Sequence, residues 1–176
     1  MPDMATLLRG QFEAGVRYPD TFPGVLNTYG GSTRQLALEL DAAEGRAGRD
    51  PRSTQRSFQR YLRGERTPKP GRMRELRGLG RRRVARQRLS AYRARGARVL
   101  LHGTIRISRS IRYVRITVEL GPGEMAGTLD AAEQGMLTGR WGRAAHEFTR
   151  EVMDKYGDLG DMAEPLEIDA VSITPL

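Results

Sequence analysis

The spacing of apolar residues changes near Arg98, and this change limits the folds open to the 176-residue chain more than any other feature. Before Arg98, apolar residues recur at the three- and four-residue intervals of amphipathic helices. After it, VLLHGTIRI (99–107) has the composition of a strand, and IRYVRITVEL (111–120) alternates polar and apolar residues. The sequence therefore predicts an α+β protein whose helical part precedes a β-hairpin.

Two helices are predicted between residues 32 and 71. The first, STRQLALELDAAEG, begins at a Ser or Thr cap, carries apolar residues at helical spacing and stops at Gly45. The second follows a polar turn, with Asp50 as its cap and Pro51 at the first helical position, where a missing N–H costs nothing. Gly64 and the two prolines after it end this second helix. Its apolar stripe consists of Phe58, Tyr61 and Leu62.

A helix, a polar turn and a second helix rich in Arg, Ser, Thr and Gln are typical of a helix-turn-helix, whose second helix enters the major groove of DNA. Arginine and glutamine can hydrogen-bond base edges through two atoms, and serine can reach bases or phosphates. A solvated amphipathic helix that binds nothing is the alternative. The residues predicted to contact DNA on the second helix are Arg52, Ser53, Gln55, Arg56, Gln59, Arg60 and Arg63.

The segment 72–98 holds eleven arginines and one acid, and we expect it to be an arginine-rich helical connector. Its apolar residues form a broken helical stripe, interrupted by Gly78 and Gly80. Residues 46–116 carry 23 basic residues and three acids in a chain of net charge +9, and this asymmetry indicates a polyanionic partner. RNA would satisfy the charge as well as DNA, since phosphate contacts carry no base information. The connector arginines expected at phosphate are Arg81, Arg82, Arg83, Arg86 and Arg88.

Residues 99–176 are predicted to form a small C-terminal β-β-α-α-β unit. After the hairpin, EMAGTLDAAEQGMLTGR and WGRAAHEFTREVMDKYG each place apolar residues on one helical face, and LEIDAVSITPL is expected to be a last strand. Residues 1–31 are predicted to be an arm or loop, because YPDTFPGVLNTYGG carries two prolines and three glycines. A short helix around Leu7, Leu8 and Phe12 is the alternative for its beginning.

The sequence lacks the residue patterns that are typical of several classes of function. Cysteine is absent and only two histidines occur, which excludes thiolate metal sites and leaves little for a histidine-based active site. No Gly-rich phosphate loop, metal-ligand spacing or nucleophile elbow is present. We therefore expect no catalytic activity, cofactor or metal. The sequence also lacks an apolar run of membrane-spanning length and a signal peptide, so we expect a cytoplasmic, nucleoid-associated protein.

The order of these segments resembles that of the terminal proteins (Tpg family), which cap linear actinobacterial chromosomes and plasmids. The resemblance covers roughly residues 30–176 and is carried by the two predicted helices, the connector, GTIRISRSIRYVRITVEL and PLEIDAVSITPL. It implies a protein linked covalently to the 5′ ends of a linear replicon. A DNA polymerase would transfer the first deoxynucleotide to a side-chain hydroxyl, and a telomere-associated protein would recruit the chain to the 3′ overhang.

That chemistry needs an exposed hydroxyl flanked by positive charge. Family members use a threonine in this part of the chain, which favours Thr104, and Gly103 beside it is expected to leave it open. The acceptor candidates are Thr104, Ser108 and Ser110, with Tyr113 and Thr117 as further hydroxyls on the same hairpin. The arginines among them are Arg106, Arg109 and Arg112, which are also predicted to bind DNA, and Arg115.

Two other functions fit the same residues. The first is a plasmid or phage regulator that binds DNA through the helix-turn-helix and forms a homodimer through its acidic C-terminal unit. The second is an RNA-binding accessory protein, which is disfavoured because stacking platforms need several aromatic residues and the basic region has few.

Overall fold

The computed structural model describes residues 3–107, 110–156 and 167–176. Within these residues the chain is a mixed α+β protein, which confirms the predicted class, with seven helices and one three-stranded antiparallel sheet. The helices are α1 (Met4–Glu13), α2 (Phe22–Asn27), α3 (Thr33–Ala43), α4 (Arg52–Leu62), α5 (Pro70–Arg95), α6 (Ala126–Thr138) and α7 (Gly142–Tyr156). The strands are β1 (Ala97–Ile107), β2 (Ser110–Leu120) and β3 (Glu167–Pro175).

The chain divides into two compact units. One, here called the helical unit, is Val16–Ala85. The other, the sheet unit, combines Met1–Gly15 with Arg86–Leu176. Helix α5 contributes its first part to the helical unit and its last part to the sheet unit, so the predicted connector is a structural member of both.

The helical unit is built around one apolar core. Its buried members are Phe22, Val25, Leu26, Tyr29, Leu36, Ala37, Leu40, Phe58, Leu76 and Leu79. The Phe22 ring lies 5.4 Å from both the Phe58 and the Tyr61 ring centroids. The expectation that Leu62 joins this stripe is wrong: Leu62 is 49% exposed. It is the last residue of α4, beyond the two rings that Phe22 covers.

The predicted arm at residues 1–31 contains two short helices instead. Asp3 caps α1 by accepting a hydrogen bond from the Thr6 N–H at 2.7 Å. Thr21 caps α2 in the same way through the Gly24 N–H. The proline in FPGVLN lies in the first turn of α2, where it breaks no helical hydrogen bond, so the loop prediction fails there. The alternative of a short helix around Phe12 is confirmed, and Phe12 is fully buried.

Helix α5 is continuous from Pro70, so that proline begins a helix, and Gly78 and Gly80, where the apolar stripe is interrupted, do not break it. A Cβ on Gly80 would lie 2.7 Å from Pro19 Cγ and 3.3 Å from Val25, so this glycine permits close packing rather than a break. The apolar stripe is broken for another reason. Leu76 and Leu79 belong to the helical unit, whereas Leu89 and Tyr92 belong to the sheet unit. At about 3.6 residues per turn, the two pairs fall on different faces of the helix.

The sheet unit has the element order β1-β2-α6-α7-β3, with α1 and the last part of α5 added from earlier in the chain. Its strands lie in the order β2-β1-β3, all antiparallel. A register shift between His102 and Gly103 reverses the alternation in β3, which explains why LEIDAVSITPL does not alternate strictly. The face of the sheet that is buried carries Ala97, Val99, Leu101, Ile116, Val118, Leu120, Val171 and Ile173.

Candidate nucleic-acid interface

Helix α4 presents the polar face that the sequence predicts. The Asp50 carboxylate accepts a hydrogen bond from the Arg52 N–H at 3.0 Å, and Phe58 fixes the opposite side of the helix in the core with 1% exposure. Gln55 is half-buried. The exposed members of the predicted set are Arg52, Ser53, Arg56, Gln59, Arg60 and Arg63.

A buried acid that the sequence analysis missed ties α4 to α3. Asp41 is 4% exposed, and its carboxylate accepts a hydrogen bond from the Thr54 hydroxyl of α4 at 3.0 Å. The same carboxylate forms an ion pair with Arg46 of the turn at 2.6 Å. The bond to Asp41 raises the pKa of the Arg46 guanidinium. Asp41 lies four residues after buried Ala37, so its helical spacing was the available sign that it faces inward. This contact fixes α4 against α3 across a turn longer than that of a tight two-helix motif.

Few carboxylates compete for the α4 arginines. Arg52 lies 3.4 Å from Asp50, and Glu65 lies 2.8 Å from Arg63 and 3.7 Å from Arg60. These pairs are solvent-exposed, and such pairs typically contribute only about 0–1 kcal/mol, so a phosphate group can replace them at small cost. Arg56 forms no ion pair with any residue that the structure describes.

Several α5 arginines of the helical unit have side chains that contact a carbonyl group or a tyrosine ring of the same unit. Arg77 donates a hydrogen bond to the Asp20 carbonyl at 2.7 Å. Arg81 lies over the Tyr18 ring at 5.4 Å, and Arg83 lies over the Tyr29 ring at 5.5 Å. Arg83 is half-buried and Arg81 is exposed. Arg82 is exposed, and its side chain forms no ion pair or hydrogen bond with a described residue, so of the predicted Arg81–Arg83 group its guanidinium is the one without such a contact or an aromatic ring beside it.

Three of the four α5 arginines of the sheet unit also have partners within the chain. Arg86 and Arg93 both bind the carboxylate of Glu133, at 3.1 and 3.0 Å. Arg88 donates to the carbonyls of Phe12 and Gln11, the last turn of α1, at 3.2 and 3.3 Å. Such bonds satisfy carbonyl groups that a helix end otherwise leaves unpaired. The structure therefore gives Arg86 and Arg88, both predicted at DNA, a role inside the fold.

The favoured acceptor, Thr104, lies on the central strand β1. Its register partners are Tyr113 of β2 and Glu167 of β3. Thr104 is half-buried, whereas Tyr113 is 87% exposed. The expectation that Gly103 leaves Thr104 open is wrong, because β3 runs beside it: a Cβ on Gly103 would lie 2.3 Å from the Glu167 carbonyl oxygen.

Other predicted residues of the hairpin lie wholly or partly outside the described part of the chain. Ser108 and Arg109 lie outside the described residues. Ser110 and Arg112 belong to β2 and Arg106 belongs to β1, but their side chains also fall outside the part of the chain that the structure describes.

Among the described residues, no group of three or more acidic or histidine side chains is arranged to hold a metal ion. In the same residues, no helix combines the length and the apolar character needed to cross a membrane. The arrangement offers exposed guanidinium groups on α4 and hydroxyl groups on the sheet. Scans of the chain against protein-family models, curated proteins and solved structures each found no match.

Proposed function

We propose that the chain binds duplex DNA through α3 and α4, acting as a helix-turn-helix, and that it is a terminal protein of a linear replicon. The observation that carries DNA binding is the outer face of α4, where arginine, serine and glutamine side chains stand exposed together. Phe58 anchors this helix in the core, and the Asp41–Thr54 hydrogen bond holds it against α3. A rigid helix with an exposed Arg and Gln face suits the major groove, where these side chains can bond base edges.

Thr104 is the proposed nucleotide acceptor. In the priming reaction, the Thr104 hydroxyl oxygen attacks the α-phosphorus of a deoxynucleoside triphosphate. A phosphoester bond forms, pyrophosphate leaves and the hydroxyl proton is released. The partner polymerase supplies the metal ions and the catalysis. Support for Thr104 comes from the family resemblance and from its position on the sheet face that carries exposed His102 and Tyr113.

Duplex binding is tested with the double variant Arg56→Ala/Arg60→Ala. Affinity for duplex DNA should fall on the order of 100-fold. The slope of log affinity against log salt should flatten by about 1.8, since each lost phosphate contact contributes about 0.9. The matched control is Arg140→Ala/Arg143→Ala, which removes two exposed arginines from the acidic C-terminal region. Equal losses in both variants would mean that net charge, not α4, governs binding.

Priming is tested by incubating the protein with radiolabelled deoxynucleoside triphosphates and an extract of cells that carry a linear replicon. Label should remain on the protein after boiling in detergent and should be lost in Thr104→Val. Thr117→Val removes another hydroxyl from the same hairpin and should keep the label. If no label is incorporated while duplex binding by α4 persists, the protein is a helix-turn-helix regulator instead.

A further inference from the structure

Among the residues that the structure describes, the outer face of the sheet carries several exposed side chains. In β1, Leu101 and Gly103 are buried, so the residues between and beside them, His102 and Thr104, belong to the opposite face. The register places Tyr113 beside Thr104 and Arg115 beside His102 on that face. Tyr113 is 87% exposed, so its ring packs against little of the chain and is accessible to a ligand.

Charge on this face is divided between its edges. On the β2 side, Arg115 is exposed and forms no ion pair with a described residue, whereas the acid Glu119 of the same strand is already paired with Arg98 at 2.7 Å. On the β3 side, Glu167 lies in register with Thr104 and is exposed. An anionic chain is therefore favoured along β2 and disfavoured along β3.

We propose that the outer face of β1 and β2 binds single-stranded DNA, with one base stacked on Tyr113 and the adjoining phosphate held by Arg115. The inference rests on the proposed function, since it places the strand beside Thr104. Aromatic side chains on open sheets bind bases by stacking, and a neighbouring cation follows the backbone. Ile111, 61% exposed on the same strand and face, extends the apolar surface by one register step.

One exposed ring defines the size of the site. The other aromatic residues of the basic region are Phe58 and Tyr92, which are buried, and Tyr61, which is half-buried, so none of them is a free platform. We therefore expect a short footprint and a modest affinity. At this sheet site a single strand should bind in preference to a duplex, because a paired base cannot stack on a flat sheet without leaving its helix.

The test measures binding of a fluorescein-labelled twelve-nucleotide oligodeoxythymidylate to the full chain by anisotropy. Tyr113→Ala should weaken binding roughly 5- to 100-fold, the range seen when a stacking ring is removed. Tyr113→Phe keeps the ring and should bind like the unmodified protein. Arg115→Ala should flatten the salt slope by about 0.7 for one single-strand phosphate. Arg140→Ala, which removes an exposed arginine outside the sheet, is the matched control for Arg115→Ala and should leave binding and the salt slope unchanged.

Three outcomes would overturn the inference. The first is equal binding by Tyr113→Ala and the unmodified protein. The second is tighter binding of the oligouridylate of the same length, which would make RNA the ligand. The third is a dimer that Tyr113→Ala converts to a monomer in sedimentation, which would make the face a protein interface. Duplex binding through α4 and label transfer to Thr104 are separate readouts, so each can fail or succeed independently of this result.

Discussion

The arginines of α4 and those in the last part of α5 have the same charge but different surroundings. On α4, Arg56 has no carboxylate partner among the described residues, and the neighbouring pairs with Asp50 and Glu65 are exposed. On α5, Arg86 and Arg93 converge on Glu133, whose side chain is 12% exposed. An arginine bound to a nearly buried carboxylate would have to leave it before it could bind phosphate, whereas an α4 arginine would lose little.

The comparison shows that a dense run of positive charge does not by itself mark a binding surface. Arg88 satisfies the carbonyl groups at the end of α1, and Arg98 pairs with Glu119 across two strands at 2.7 Å. Both bring together segments that are far apart in sequence. Polyanion binding is therefore expected mainly from α4 and from the few α5 arginines, such as Arg82, that lack a described partner.

The largest expected effect that separates the two regions is on stability. Glu133→Gln removes the charge that Arg86 and Arg93 share, and should lower the free energy of unfolding by about 2 kcal/mol, because bonds to charged groups in a partly buried site are lost. Urea denaturation measures this change. Duplex affinity should stay within about threefold of the unmodified protein, since the α4 surface is untouched. A loss of affinity comparable to that of the α4 variant would show that the two regions are not distinct.

A smaller effect is expected at the α3–α4 contact, where stability and binding should change together. Asp41→Asn keeps the shape but removes the charge that binds Arg46, and should cost about 1–2 kcal/mol of stability. Because α4 then loses part of its anchor, duplex affinity should fall about tenfold. Asp50→Asn, at an exposed carboxylate, is the control and should change affinity less than the Asp41 variant does.

A still smaller effect is expected within α5. Arg82→Ala should lower affinity for all DNA sequences alike by about fivefold and flatten the salt slope by about 0.9, as expected for one phosphate contact. Arg88→Ala should leave the slope unchanged and instead lower the melting temperature, because it releases the end of α1. Identical slopes for Arg82→Ala and the unmodified protein would remove α5 from the binding surface.

The smallest effect concerns acid stability of the sheet unit. A hydrogen bond from Lys155, and another from the Gly121 N–H, hold the pKa of Glu124 below its usual value. A carboxyl whose folded pKa is depressed stabilises the fold above its unfolded pKa, and this contribution is lost as pH falls from about 4.3 through the lower folded value. Glu124→Gln should therefore reduce the melting temperature at pH 7 and leave it unchanged near pH 2. The same reduction at both pH values would contradict this assignment.

Local patterns in the sequence predicted the elements whose signals are local. Ser32 and Gly45 bound α3, and the alternation in IRYVRITVEL buries Ile116, Val118 and Leu120 as expected. The exposed face of α4 also followed from helical spacing alone. Caps, turns and periods act over a few residues, so they can be read without knowing the rest of the chain.

Only the tertiary structure determined which groups each arginine contacts. It also showed why the apolar stripe of the continuous helix α5 is interrupted. Arg88 and Phe12 are 76 residues apart in sequence, and Arg86 and Glu133 are 47 apart. No short pattern encodes such pairs, because they arise only when packing brings the segments together. The apolar stripe of α5 is likewise irregular in the sequence because its buried residues belong to two different units. The sequence alone placed positive charge in the middle of the chain, and packing determined which of those charges remain exposed.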